Sequence, residues 1–207
     1  MSDSKSFKIK TCLHSVSYAG FWRGQARLGV EDFLDKAKQL GFDGVILTAK
    51  KPHVSVSDYD AAARKELRDR IEKLGLKLVC MAGYTDFTAG VDKAGIPNAE
   101  IQACYVGQLA KLASDLGTDM VRVFTGYERP GVPFDQQYAL VVEGLKLAGQ
   151  KAARHGVTLF DVQMMTTHLE SMGAVAWTRE RYVSEVSRAC QVPVDLSDVE
   201  ARWELDA

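Results

Sequence analysis

The stretch LGTDMVRVFTGYE, residues 116–128, is typical of a helix end followed by a buried strand and a loop. Gly117 comes directly after an apolar helical pattern, and glycine ends helices because it adopts the left-handed conformation at low steric cost. Residues 120–124 are an apolar run that is too short for a helix, and Gly126 opens a polar loop after it. The stretch therefore predicts one joint from helix to strand and one from strand to loop.

The same joint recurs along the chain. A glycine precedes a short apolar run at Gly41, Gly75, Gly117 and Gly156, with spacings of 34, 42 and 39 residues. Each spacing fits one strand plus one helix, and repeated units of this kind predict a parallel sheet covered by helices. The sequence therefore predicts an α/β fold.

The pattern also predicts where the individual elements lie. Strands are expected at residues 7–13, 44–48, 76–82 and 120–124. Helices are expected at residues 30–40, from Ser57 or Asp58 to residue 74, at 97–116, at 134–155 and at 179–190.

Composition excludes several classes of protein. With 207 residues, of which 46% are hydrophobic, the chain is long enough to bury one large core. The formal net charge of −1 gives no electrostatic reason to expect nucleic acid or a membrane surface as a partner. No apolar run approaches the ~20 residues of a spanning helix, and the first residues lack the apolar core of a signal peptide. The four cysteines are scattered, which favours reduced thiols in the cytoplasm.

Candidate binding residues follow the first two strands. His14 and Trp22 lie in a long loop with three aromatic residues, which either pack against the fold or line a pocket. Lys50, Lys51 and His53 lie in the loop after the second strand, where a phosphate or a sugar can be held. The alternative for the two lysines is a solvated basic loop.

Two further candidates belong to the fourth strand and its loop. Arg122 lies within the strand, where it either pairs with a carboxylate or points at an anionic ligand near the strand ends. Glu128 lies just beyond and is a candidate metal ligand or base, although a glutamate in an exposed loop is usually neither. Because parallel strands end at the same edge of a sheet, we expect His14, His53 and Arg122 to share that edge with Trp22 and Glu128.

Five stretches together resemble a known family. They are YAGFWRGQ (18–25), LGFDGV (40–45), KKPH (50–53), VRVF (121–124) and GVTL (156–159). In order and spacing they are similar to the sugar phosphate isomerase/epimerase family of xylose-isomerase-like (β/α)8 barrels, over about residues 8–159.

The resemblance implies a divalent-metal enzyme, using Mn, Mg, Co or Zn, that moves a proton on a small sugar or sugar phosphate. Members of the family hold the metal with acidic and histidine side chains on the fifth to eighth strands. The first of these positions falls within FDVQ (160–163), so Asp161 or Gln163 is the nearest match, and glutamine is a weak ligand for a hard cation. The catalytic candidates are Glu128 and His53, and the substrate-binding candidates are His14, Trp22, Lys50, Lys51 and Arg122.

The family pattern is not recognisable beyond Gln163. Three more units would need on the order of a hundred residues, whereas residues 164–207 number 44. We therefore predict a truncated, partial (β/α)8 TIM-barrel-like fold of about five parallel βα units in residues 1–163. Residues 164–207 would form a divergent tail that packs on it or is disordered. A natural short relative, a truncated product and a frame change near Gln163 remain open.

Two functional expectations follow from this partial barrel. Sugar isomerisation by the chain is expected to be absent or very weak, and the alternative is a non-catalytic fragment or a sugar-binding module. A metal-dependent abasic-site nuclease on the same fold is disfavoured by the charge. An open side of the sheet exposes strand edges and apolar faces, which favours a homo-oligomer through that side.

Overall fold

The computed structural model describes residues 10–91, 95–153, 175 and 177–189. Within them, four parallel strands form one sheet in the order β1-β2-β3-β4. Their bounds are Cys12–His14 (β1), Gly44–Thr48 (β2), Lys77–Ala82 (β3) and Val121–Arg122 (β4). Each strand pairs with the next one in the chain, so the predicted α/β fold with a parallel sheet is confirmed.

Helices connect the strands in the predicted alternation. After β1, the chain makes a short 3₁₀ helix, Ser15–Tyr18. The α-helices of the described residues are Val30–Gln39 (α1), Ala61–Lys73 (α2), Asn98–Asp115 (α3), Phe134–Ala153 (α4) and Arg179–Ala189 (α5). None of these helices combines the length and apolar character needed to cross a membrane.

The start of α2 corrects a sequence prediction. Asp60 caps the helix, because its side chain accepts a hydrogen bond from the Ala63 N–H at 2.9 Å. Ser57 and Asp58 bond to each other in the preceding turn, where the Ser57 hydroxyl lies 3.2 Å from the Asp58 carboxylate. Their side chains therefore stabilise the turn, and the helix begins later than predicted.

The glycine joints are built as the sequence indicates. Gly41, Gly75 and Gly117 have φ values of 80°, 67° and 85°, in the left-handed region. At the first joint the Gly41 N–H donates to Lys38 O at 3.0 Å and the Phe42 N–H donates to Ala37 O at 3.1 Å. The same two bonds recur at the other two joints, so each helix ends on a glycine and its last carbonyls are satisfied.

The main core lies between the sheet and helices α1 to α3. Val45 and Leu47 on β2 are fully buried, as are Phe33 and Leu34 on α1. A second apolar cluster forms between α3 and α4 around Phe87, which is 1% exposed. The two clusters fix the helices against the sheet and leave the carboxyl ends of the strands to the loops.

The predicted fifth βα unit, including Gly156, lies outside the described residues. The division of the chain into residues 1–163 and 164–207 therefore stays a prediction. The predicted fourth strand, 120–124, is shorter in the structure, because only Val121 and Arg122 pair with β3.

Candidate functional site

The candidate site lies at the carboxyl ends of the four strands. His14 is the last residue of β1 and Arg122 is the last residue of β4, while His53 lies in the loop after β2. Trp22 and Glu128 lie in the loops after β1 and β4. Because all four strands run parallel, these five residues occupy the predicted edge of the sheet.

Two histidines at this edge are held in the neutral form. The pKa of His14 is lowered to about 4, first by burial and then by the positive charge of Arg122 and by His53. The pKa of His53 is also lowered, chiefly by burial, although its bond to the Leu28 carbonyl works in the opposite direction. Both imidazoles are therefore uncharged at neutral pH.

The tautomer of His53 follows from its hydrogen bond. Its Nε2 lies 3.2 Å from the carbonyl oxygen of Leu28, which can only accept, so Nε2 carries the proton. The lone pair then resides on Nδ1, which is buried without a hydrogen-bond partner among the described residues. His53 is 3% exposed, and its ring lies 5.9 Å from that of the buried Phe33, so this acceptor lies in the interior beside α1.

Three aromatic rings from different loops contact one another at the carboxyl edge, and we call them the aromatic cluster: Phe21, Tyr84 and Phe124. The Tyr84 ring lies in the middle, with its centroid 6.3 Å from that of Phe21 and 5.6 Å from that of Phe124. Trp22 contacts the outer side of Phe21 edge-on at 6.0 Å and is 63% exposed. The loops after β1, β3 and β4 therefore meet through aromatic contacts.

Two cations lie on the aromatic cluster. Lys50 Nζ is 4.1 Å from the centroid of Phe21 and 4.5 Å from that of Tyr84. The guanidinium carbon of Arg122 is 4.5 Å from the centroid of Phe124 and 5.7 Å from that of Tyr84. Both cations therefore face the same Tyr84 ring, an arrangement that is attractive for each of them.

The contacts of Arg122 bear on the first of its two predicted roles, a structural ion pair, within the described part of the chain. No carboxylate there forms an ion pair with Arg122, and its Nε is buried without a hydrogen-bond partner. The described residues therefore supply no carboxylate for a structural ion pair, and the other predicted role, binding of an anionic ligand, stays a prediction.

The positions of Lys50 and of the β2 end are fixed by hydrogen bonds. The Thr48 N–H donates to Ser15 Oγ at 2.8 Å, and the Tyr105 hydroxyl donates to Ala49 O at 2.9 Å. Burial raises the pKa of the Tyr105 phenol, so this hydroxyl keeps its proton at neutral pH. The loop after β2 is therefore anchored directly before Lys50.

Two threonines continue the pairing of β3 and β4 beyond the backbone ladder. Thr85 Oγ1 accepts from the Phe124 N–H at 2.8 Å and donates to the Phe124 carbonyl. Thr88 Oγ1 donates to the Tyr127 carbonyl at 2.6 Å and accepts from its N–H at 3.2 Å. An ion pair between Asp86 and Arg129 links the loop after β3 to the loop after β4. Thr85 thus fixes the backbone of Phe124 and, through it, the position of the Phe124 ring.

Some of the predicted site residues have no described contact with the aromatic cluster or with the two histidines. Lys51 is 75% exposed at its side chain and pairs with Asp58 at 3.3 Å. Glu128 is exposed in the loop after β4. The predicted metal ligands, Asp161 and Gln163, lie outside the described residues. The assigned roles of all these residues stay predictions.

Sequence reasoning missed Tyr84 and Phe124 as site residues. Both are aromatics in or next to loops that follow strands, which is the same signal that made Trp22 a candidate in the first loop. The contribution of Thr85 and Thr88 has no sequence signal, because a threonine next to a strand is ordinary.

A divalent metal does not fit the described residues. They contain no group of three His, Cys, Asp or Glu side chains arranged to hold an ion. His14 and His53 lie near each other, but the charge of Arg122 acts on His14. That charge would also repel a cation, so this set of donors suits an anion or a neutral ligand better than a metal ion.

A cavity of about 400 Å³ lies at the opposite edge of the sheet. Lys10, Lys38 and Lys77 line it together with Asp43 and the glycines of the first two joints. It is formed by the turns that connect helices to strand starts. Barrels of parallel strands place their chemistry at the carboxyl edge, and the amino edge contributes stability.

The chain belongs to the xylose isomerase-like TIM barrel family. The sequence model of that family matches residues 34–204. It begins later than the range of 8–159 covered by the sequence motifs and continues past Gln163, beyond which the motifs alone showed no family pattern. No curated protein sequence matches the chain.

Solved structures agree on the fold. A D-psicose 3-epimerase from Clostridium cellulolyticum H10, crystallised with D-tagatose, is 14% identical with a TM-score of 0.55, over 70% of this chain and 49% of its own. A probable 3-DHS dehydratase involved in petrobactin synthesis, from Bacillus anthracis, is 18% identical with a TM-score of 0.52, over 71% and 49%. A D-allulose 3-epimerase from Methylomonas sp. is 16% identical with a TM-score of 0.52, over 80% and 57%. The chain thus spans about half the length of these structures.

Proposed function

We propose that this chain is a sugar isomerase/epimerase-like protein that binds a small sugar or sugar phosphate at the carboxyl edge of its sheet. The observation that carries the proposal is the convergence of the aromatic cluster, Lys50, Arg122 and two neutral histidines from the ends of separate strands. Binding sites for small polar ligands combine aromatic walls with a few polar groups in this way. Two of the similar structures are sugar epimerases, which supports the choice of ligand.

The residues of the site divide the work of binding. The Tyr84 ring offers an apolar face to the C–H side of a sugar, and the neutral imidazole of His14, close to Arg122, is the predicted partner of a hydroxyl group. Arg122 offers N–H donors to a carbonyl or an anionic oxygen. A neutral His53 is also able to take up a proton during isomerisation, and Glu128 is the second predicted proton carrier.

Catalysis by the isolated chain is proposed to be absent or very weak. The described residues hold no group of metal ligands, and a sugar carbonyl that is not polarised gives up its neighbouring proton slowly. The second candidate function is a non-catalytic sugar-binding protein of the same fold.

Binding is tested by saturation-transfer NMR and calorimetry with ketohexoses and their 6-phosphates. We expect Tyr84→Ala to weaken binding of the best ligand by at least about tenfold, because the variant removes the central ring. Tyr127→Ala is the matched control, since Tyr127 is 65% exposed and lies outside the aromatic cluster. Equal losses in the two variants, or no binding of any sugar, would contradict the proposal.

Catalysis is tested separately in heavy water. Incorporation of deuterium next to the sugar carbonyl reports proton abstraction even when net turnover is slow. We expect little or none from the isolated chain. Rapid incorporation with added Mn or Mg, abolished in His53→Ala, would show that the chain is an active enzyme.

A further inference from the structure

Two positive charges in the candidate site lack a counter-charge. Lys50 and Arg122 approach the same Tyr84 ring, with distances of 4.5 and 5.7 Å to its centroid. Among the residues that the structure describes, neither forms an ion pair with a carboxylate. The aromatic faces attract each cation, but the rings carry no net charge and neutralise neither of them.

The acidic side chains of the surrounding loops form no ion pair with Lys50 or Arg122 in the described part of the chain. Asp58 pairs with Lys51 and Asp86 pairs with Arg129, whereas Glu128 is exposed in the loop after β4. The positive charge of Arg122 extends to His14, whose protonation it opposes. Lys50 and Arg122 therefore bring two positive charges to one aromatic ring, in a protein whose net charge is −1.

We propose that the sugar ligand of this site carries an oxyanion, which binds between Lys50 and Arg122 above the Tyr84 ring. The geometry suits an anion because the ammonium is a point charge and the guanidinium presents a planar pair of donors. A phosphate ester and a carboxylate share this chemistry. The inference rests on the proposed sugar-binding function and makes it more specific, since it excludes neutral sugars as preferred ligands.

The aromatic cluster gives the site a way to orient the anion. Lys50 is held between Phe21 and Tyr84, and Arg122 lies over Phe124, whose backbone is fixed by Thr85. These contacts therefore restrict the positions of the Lys50 ammonium group and the Arg122 guanidinium group. A ligand with its anionic group at one end is then oriented with its hydroxyl groups toward the neutral histidines.

The test is calorimetric titration of the full chain with four probes. D-tagatose is neutral, D-tagatose 6-phosphate and D-tagaturonate each carry an anionic group, and inorganic phosphate carries the charge without the sugar. We expect at least one anionic sugar to bind about tenfold or more tighter than D-tagatose, and this advantage to shrink as salt is added. Which of the two binds identifies the anion as phosphate or carboxylate.

Variants localise the effect. Lys50→Gln and Arg122→Gln are each expected to lower the ratio of the affinity for the anionic sugar to the affinity for D-tagatose, because each removes one of the two positive charges. Arg122→Lys keeps the charge and is expected to keep part of the advantage. The matched controls are Lys65→Gln and Arg68→Gln, which alter exposed ion pairs on the outer face of α2 and should change nothing.

The outcomes separate this inference from the proposed function. If D-tagatose binds as tightly as the charged probes, the oxyanion inference is wrong and sugar binding stands. If inorganic phosphate binds and needs both cations, but no sugar binds, the anion site is supported and the sugar proposal is contradicted. If no probe binds, both are overturned.

Discussion

Replacing Thr85 by valine tests how the loop after β4 is held. The Thr85 side chain is 2% exposed, and its hydroxyl bonds to both the N–H and the carbonyl of Phe124. Valine has nearly the same shape but lacks the hydroxyl. The N–H and the carbonyl of Phe124, which are partly buried, therefore lose their hydrogen-bond partner. A buried polar group left unsatisfied costs roughly 1–3 kcal/mol, and we expect a loss of unfolding free energy in that range.

Thr48 supplies the matched control for this change. It is fully buried, but its Oγ1 has no hydrogen-bond partner among the described residues. Thr48→Val removes a hydroxyl whose burial is not compensated, so we expect the unfolding free energy to stay the same or to rise.

Urea unfolding followed by circular dichroism measures both variants. Thr85→Val should lower the midpoint without altering the slope, because the surface exposed on unfolding is unchanged. At this chain length, 1 kcal/mol corresponds to roughly 2–4 °C in the melting temperature. If Thr48→Val is destabilised as much as Thr85→Val, the hydrogen bonds of Thr85 are not the reason for its effect, and the reasoning fails.

The remaining predictions concern a histidine and two glycines. His14, with its pKa lowered from 6.5 to about 4, should titrate near pH 4 by NMR. The unfolded chain binds more protons between these values, so this residue makes stability fall as pH is lowered from 6.5 to 4; a midpoint near 6.5 would contradict the burial. Gly144→Ala should destabilise by about 1–3 kcal/mol, since its Cβ would overlap the ring of Phe87. At Gly149 on the same helix an added Cβ has no neighbouring atom within 4 Å, so Gly149→Ala should stabilise the protein by up to about 1 kcal/mol in thermal unfolding. Similar effects of the two substitutions would refute the packing of Gly144 against Phe87.

Local signals made the fold predictable. A glycine directly after a helical pattern commonly ends the helix in the left-handed conformation. The positions of Gly41, Gly75 and Gly117 in the sequence therefore predict three helix ends, which the structure confirms. The strand after Gly41 was bounded correctly at Gly44–Thr48, because an apolar run between a turn and a polar loop has one simple structure. The start of α2 was placed too early because several capping residues compete there, and only tertiary structure selects Asp60.

The candidate site was predictable in position but not in detail. The spacing of strands placed His14, His53 and Arg122 at one edge, since parallel topology leaves no other arrangement. The directions of side chains depend on contacts between loops that are far apart in the chain. Adjacent Lys50 and Lys51 illustrate this, because one packs on aromatic rings and the other pairs with Asp58.

The central claim is that the carboxyl edge of the sheet is the ligand site. The most direct test is a titration of isotope-labelled protein with D-tagatose 6-phosphate, followed by backbone and aromatic NMR signals. We expect the largest chemical-shift changes at Lys50, Tyr84 and Arg122. Shifts centred on Lys38 and Lys77, at the cavity of the amino edge, or the absence of any shift at millimolar ligand, would contradict it.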